Sequence, residues 1–129
     1  PFYCDGYVKK QWKKLGFDIH HEKVDAFNLE IIPDYDIMIS NIPFSCKEKC
    51  VNHALSLGKP FMLLMPLHAI GSRWIVKYWN ELQFIIPDGR YSYFKPNYAE
   101  RKSASWFDSC WITHKMDLPD KIIKLKRKK

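Results

Sequence analysis

Eight consecutive residues, Pro60-Phe61-Met62-Leu63-Leu64-Met65-Pro66-Leu67, carry no charged side chain and no polar hydrogen-bonding one. Successive residues of a strand point to opposite faces of a sheet, so a strand built from this run must be covered on both sides. An interior strand of a parallel sheet meets that demand. The run is far short of the roughly 20 apolar residues that a membrane-spanning helix requires. No longer apolar stretch exists elsewhere, so no membrane partner is expected, and no signal peptide is visible.

The segments around this run alternate between helical and extended patterns. Tyr7 to Leu15 places Val8, Trp12 and Leu15 on one face, with lysines 9, 10, 13 and 14 mostly opposite, and Gly16 can end that helix. Phe17 to His20 reads as a short strand and Tyr35 to Ser40 as a buried one. Ser45 and Glu48 have capping-box spacing, which predicts a helix from just after Ser45 to near Gly58. Ser72 to Leu82 reads as a third helix packing through Ile75, Tyr78, Trp79 and Leu82. Gln83 to Pro87, Arg90 to Phe94 and Trp106 to His114 read as strands, the last two as an antiparallel pair. The alternation predicts an α/β domain with a mostly parallel sheet, in residues 1–120 of the 129. In such sheets a ligand lies beyond the carboxyl ends of the strands. Residues 1–6, 20–27 and 41–44 fall on that edge, as does the loop His68 to Arg73.

Charge and cysteine usage narrow the partners. There are 21 basic and 14 acidic residues, and six of the basic ones lie in the last nine positions, leaving a body of 15 against 14. The segment 121–129 is therefore a basic tail, read either as a solvated terminus or as a region attracting phosphates by counterion release. Cys4, Cys46, Cys50 and Cys110 form no disulfide framework, and reduced thiols in a cytoplasmic protein, or in a viral protein acting inside its host cell, are expected. Cys46, Cys50 and His53 share a helix face without a further ligand at matching spacing, so no metal site is expected.

Asn41-Ile42-Pro43-Phe44 follows directly on the strand Tyr35 to Ser40. The carboxamide oxygen of Asn41 and the backbone carbonyl of Ile42 are two acceptors suited to the hydrogens of a planar amine. Such an amine is a poor nucleophile because its lone pair is delocalised. Two acceptors draw the nitrogen toward a tetrahedral shape and stabilise the positive charge that grows on it. Phe44 can stack on the ring carrying the amine. His20 and His21 are not required as bases, because the proton leaves after the nitrogen has become cationic.

These residues resemble the S-adenosylmethionine-dependent amino-methyltransferases, chiefly the adenine-N6 DNA methyltransferases, whose amine motif is Asn/Asp-Pro-Pro-Tyr/Phe/Trp after a hydrophobic strand. Pro1-Phe2-Tyr3-Cys4-Asp5-Gly6 resembles the family's cofactor loop, and Asp25-Ala26-Phe27 its short Asp-Phe-Phe-type motif. The likeness covers about residues 1 to 70 in matching order. It implies a Rossmann-like methyltransferase fold with an antiparallel strand pair near the C-terminus, S-adenosylmethionine as methyl donor, and nucleic acid as substrate, DNA favoured over RNA. It assigns Pro1, Phe2, Asp5 and Gly6 to the cofactor loop, Glu22 to the ribose, and Asp25 and Phe27 to the adenine ring. Asn41, Ile42, Pro43 and Phe44 become the catalytic turn.

Two departures stand out. Ile42 replaces the first proline of the motif, which removes a constraint on the carbonyl it carries. The chain also begins at the cofactor loop, without the central strand that precedes it in the family, so the natural protein is expected to be longer or the chain to be an incomplete gene product. Only 35 positions separate Gly6 from Asn41, which places target recognition after residue 67. Arg73 and the aromatic-cationic stretch Arg90, Tyr91, Tyr93 and Lys95, with Tyr98, Arg101 and Lys102 beyond it, are candidates for stacking and phosphate contact. The same stretch also reads as an amphipathic edge hairpin. Two other functions fit the motif: a degenerate fold that binds nucleic acid without turnover, and a protein glutamine N-methyltransferase, whose family shares the Asn-Pro-Pro-Tyr turn.

Overall fold

The computed structural model describes residues 7–20, 27, 34–93, 106–126 and 128. Five strands form one sheet: β1 Met38–Asn41, β2 Phe61–Pro66, β3 Gln83–Pro87, β4 Ser109–His114 and β5 Ile122–Leu125. Their order is β1-β2-β4-β3-β5. β1 is parallel to β2 and β3 to β5, whereas β4 is antiparallel to both β2 and β3. Four strands therefore share one direction and β4 alone is reversed. Helix α1 spans Tyr7–Lys14 and helix α2 spans Lys47–Ser56. The expected α/β architecture with a mostly parallel sheet is present. β2 is the interior strand that its apolar run predicts, although one of its two neighbours is antiparallel.

Strand periodicity sorts the sheet into two unlike faces. Pairing of Leu63 with Ser40 and with Ile112, and of Ile112 with Phe84, sets these residues on one face. Leu63, Met65, Phe84, Ile112 and Cys110 are fully buried there, packed with Cys50, Val51 and Ala54 of α2. On the opposite face Ile39, Met62, Ile85 and Trp111 are only half-buried, while Leu64 and Thr113 are buried. α2 is also the crossover that lets β1 and β2 run parallel, since parallel neighbours need a long connection. Gly58 adopts φ +69° and ends α2 where predicted, as Gly16 at φ +87° ends α1.

Several expectations are corrected. Residues 17–20 are not a strand, and no described strand lies beside them to supply a ladder. The helix expected after Ser45 opens with a 3-10 turn, Phe44–Cys46, and becomes α-helical at Lys47 without a side-chain cap. Glu48 pairs with Lys77 Nζ at 2.6 Å, which occupies the carboxylate that a capping box would need. The third helix is a 3-10 helix, Arg73–Glu81. With three residues per turn, Ile75 and Tyr78 share a face, and Trp79, though partly exposed, packs on buried Phe84 with ring centroids 5.2 Å apart, while Leu82 is buried as expected. Arg90 to Tyr93 form no strand apart from an isolated bridge at Ser92, and Phe94 lies outside the described residues. β4 pairs with β2 along Ser109–His114 and with β3 at Trp111–Thr113, so its antiparallel partners are those strands rather than residues 90–93.

The basic segment is also more than a solvated tail. Ile122–Leu125 add to the free edge of β3, with Phe84 N–H donating to the Lys121 carbonyl at 2.9 Å and Asp88 N–H to the Leu125 carbonyl at 2.8 Å. Lys121 Nζ donates to the carbonyls of Trp79 and Leu82, both at 2.7 Å, and so satisfies the end of the 3-10 helix. Lys124 in β5 and Lys126 just beyond it charge an otherwise exposed sheet edge, which discourages pairing with another chain.

Candidate functional site

All four co-directional strands end on one edge, and the reversed strand β4 begins there. Asn41 is the last residue of β1, paired with Leu64. Alternation turns Asn41 to the face opposite α2 and sends Ile42 into the α2-side core, where it is 3% exposed. Asn41 itself is exposed, and no side-chain hydrogen bond holds it among the described residues. Pro43 is exposed and extended, at φ −62° and ψ 121°. Phe44 is half-buried, in edge contact with Phe107 at 5.4 Å and Tyr93 at 6.2 Å between ring centroids. Lys47 Nζ donates to the Phe44 carbonyl at 2.8 Å, which closes the turn onto α2. A carboxamide thus stands free at a sheet edge while the residues after it are fixed by packing.

The burial of Ile42 bears on how firmly the turn is held. A ring constrains a backbone through φ, whereas a buried β-branched side chain constrains it through its neighbours and its stiff χ1. Burial of its β-branched side chain restrains the backbone at Ile42.

An aromatic group surrounds the turn. Phe107 contacts Phe44, Tyr93 and Trp106, and Trp106 is stacked on His68 at 6.4 Å and 19°. Trp106 is 79% exposed. Phe107 was not legible as a site residue, because Trp106 to His114 reads as one continuous strand. The available signal was position: a reversed strand begins where the parallel strands end, so aromatics just before it fall on the ligand edge.

The candidate nucleic-acid residues are partly committed to structure. Arg90 Nε donates to Asp108 Oδ1 at 3.3 Å. The Tyr91 hydroxyl accepts from Trp111 Nε1 at 3.5 Å, and the Tyr93 hydroxyl shares a 2.6 Å bond with Ser109 Oγ. Burial raises the Tyr93 phenol above its ordinary pKa of 10.0, so it remains protonated through neutral pH. Arg73 is exposed at the start of the 3-10 helix. Lys95, Tyr98, Arg101 and Lys102 lie outside the described residues.

Of the residues assigned to the cofactor, Phe27 is described, and Pro1, Phe2, Asp5, Gly6, Glu22 and Asp25 lie outside the described residues, as do Cys4 and His21. Phe27 is half-buried against α2, with Lys49 Nζ 4.1 Å from its ring centroid and the His53 ring edge-on at 5.2 Å. His20 is exposed. Cys46 Sγ and Cys50 Sγ lie 3.5 Å apart, and burial, with a smaller contribution from Cys46, pushes the Cys50 thiol up to about 12. Among the described residues no group of three His, Cys, Asp or Glu side chains is placed to hold a metal ion.

On the α2 side of the turn lies an open groove of about 620 Å³, between the start of α2 and the 3-10 helix Arg73–Glu81. Ser45 and Cys46, the residues immediately after Phe44, form part of its wall.

Comparison with protein-family models, with curated proteins and with solved structures found no match.

Proposed function

We propose that the chain transfers a methyl group from S-adenosylmethionine to the exocyclic N6 amine of adenine in nucleic acid, with DNA favoured over RNA. The observation that carries this reading is the geometry of the turn. Asn41 is exposed and unbonded at the carboxyl end of a strand, Ile42 is clamped in the core, and Phe44 is anchored but not fully covered. The single reversed strand near the C-terminus accords with the fold that the resemblance implies. Phe27, held against α2, is fixed apolar surface of a kind that fits beside an adenine ring.

In this reading the Asn41 side-chain oxygen accepts one N–H of the target amine and the Ile42 carbonyl accepts the other. Both acceptors bind more strongly as the nitrogen gains positive charge, so their contribution is larger in the transition state than in the ground state. Phe44 holds the base by stacking, which leaves orientation rather than proton abstraction as the main demand on the protein. When bound, S-adenosylmethionine supplies an electrophilic methyl group on a sulfonium. The amine proton then passes to water, to which Asn41 is open. A target in a duplex has to leave the stack to reach the turn.

The experiment is tritiated methyl transfer to unmethylated DNA. Asn41→Ala is expected to lower transfer about 10²- to 10³-fold, the range for removal of one preorganised polar group. Undiminished transfer in Asn41→Ala, or none by the unaltered chain to DNA or RNA, refutes the proposal. Labelling of a protein instead would move the reading to a glutamine amide. The packing of Ile42 answers one of the two grounds for a fold without turnover, the other being the strand that the resemblance places before the cofactor loop.

A further inference from the structure

We propose that the groove beside the catalytic turn holds a single-stranded segment of nucleic acid flanking the target base. This inference rests on the reading above only in taking nucleic acid as the substrate.

The groove has the two properties that sequence-independent single-strand binding requires, cations for the backbone and aromatic surface for the bases. Among the described residues its charged lining is Lys47, Lys49 and Lys77 against one acid, Glu48. That is a local excess in a body whose charges otherwise nearly cancel. Lys49 and Lys77 are exposed at the rim. Trp74 and Tyr78, both half-buried, form the aromatic wall, with ring centroids 6.5 Å apart and planes at 62°. Tyr78 is steadied by its hydroxyl, which donates to Asn52 Oδ1 at 3.3 Å, and by Lys77 Nζ 5.4 Å from its ring centroid. Aromatic surface kept in place by such contacts stacks on a base at little cost in side-chain entropy.

Position supports the assignment. Ser45 and Cys46 line the groove and directly follow Phe44 in sequence, so the groove begins at the C-terminal end of the turn, on its α2 side. Arg73, exposed and next in sequence to Trp74, extends the cationic rim. Tyr78 shares the face of buried Ile75 but is itself half-buried, its outer part reaching the groove.

The test is binding of a fluorescent oligothymidylate of about 12 nucleotides, a length suited to a single-strand groove. It contains no adenine, so it reads the groove without the target amine. The double variant Lys49→Gln/Lys77→Gln is expected to weaken binding about tenfold. It should also reduce the slope of log affinity against log salt by about 1.4, the value for two phosphate contacts on a single strand. Tyr78→Leu is expected to weaken binding about tenfold by loss of stacking. Glu48→Gln, which removes the one acid and frees Lys77, is expected to tighten it severalfold. Circular dichroism establishes that each variant is folded, and the surface changes at positions 48, 49 and 77 keep the test decisive should Tyr78→Leu unfold.

The proposal falls if the unaltered chain does not bind oligothymidylate. It falls equally if the lysine variants bind with unchanged slope, or if heparin displaces the oligonucleotide while folded Tyr78→Leu binds normally, since that describes a general polyanion surface. The two readings separate through Asn41→Ala. Loss of methyl transfer in that variant with normal oligothymidylate binding in the groove variants removes the groove alone. Normal transfer in Asn41→Ala with weakened binding in the groove variants removes the methyltransferase assignment alone.

Discussion

The two faces of the sheet are built from the same strands but stabilised differently. On the α2 side, Leu63, Met65, Phe84 and Ile112 are sealed beneath a helix whose own Val51 and Ala54 are buried with them. On the other side Ile39, Met62, Ile85 and Trp111 keep part of their surface in solvent. Asn41 belongs to the second face and Ile42 to the first. The candidate site therefore straddles the boundary: its polar group stands on the open face while its backbone is fixed by the closed one. Rigidity and accessibility, which oppose each other within one residue, are divided between neighbours.

The largest expected effect tests the closed face. Leu63→Ala and Ile42→Ala should each destabilise the fold by about 2–5 kcal/mol in urea unfolding, the range for truncating a buried aliphatic side chain. Met62→Ala, one residue along on the open face, should cost about 1–2 kcal/mol, because less apolar area is lost from burial. Equal costs at positions 62 and 63 would abolish the distinction between the faces. Tyr93→Phe removes the 2.6 Å bond to Ser109 beside the site and should cost about 1 kcal/mol, visible as a lowered urea midpoint.

Alkaline titration probes the closed face by another route. Burial raises the Cys50 and Cys110 thiols from their ordinary 9.0 to about 12. In the unfolded chain both ionise near pH 9, whereas in the folded protein they resist until about pH 12. The stability they contribute is complete below pH 9 and is lost progressively between pH 9 and 12. Urea midpoints should fall across that interval, and the fall should be shallower in Cys50→Ala. The smallest effect is expected at α1, where Leu15 is 72% exposed: Leu15→Ser should change stability by no more than about 0.5 kcal/mol.

Legibility in the sequence followed the range of the interactions involved. α1, α2, β2 and β3 were readable within a few residues because their patterns are local: amphipathic spacing, a glycine at a helix end, an apolar run. The candidate turn stood out as a motif because Asn41 to Phe44 are contiguous. The role of β5 was not, since lysines at positions 121, 124 and 126 read as a tail until the open edge of β3 is known to lie beside them. Residues 90–93 were misassigned as a strand for the complementary reason. Their pattern suits a strand, but the antiparallel partners of β4 are β2 and β3. The groove combines both difficulties, joining residues 45–52 to residues 74–78 across a distance in sequence that no periodicity spans.

The sequence by itself determined an α/β chain with an apolar interior strand and an asparagine-bearing turn at a strand end, because each of these rests on neighbours a few residues apart. Only the tertiary structure decided which strand is reversed, that Ile42 is locked in the core while Asn41 stands free, and that lysines from α2 face aromatics from a 3-10 helix across a groove. Those outcomes depend on which sheet edges remain unpaired and on which side chains exclude water together, and both are properties of the assembled sheet.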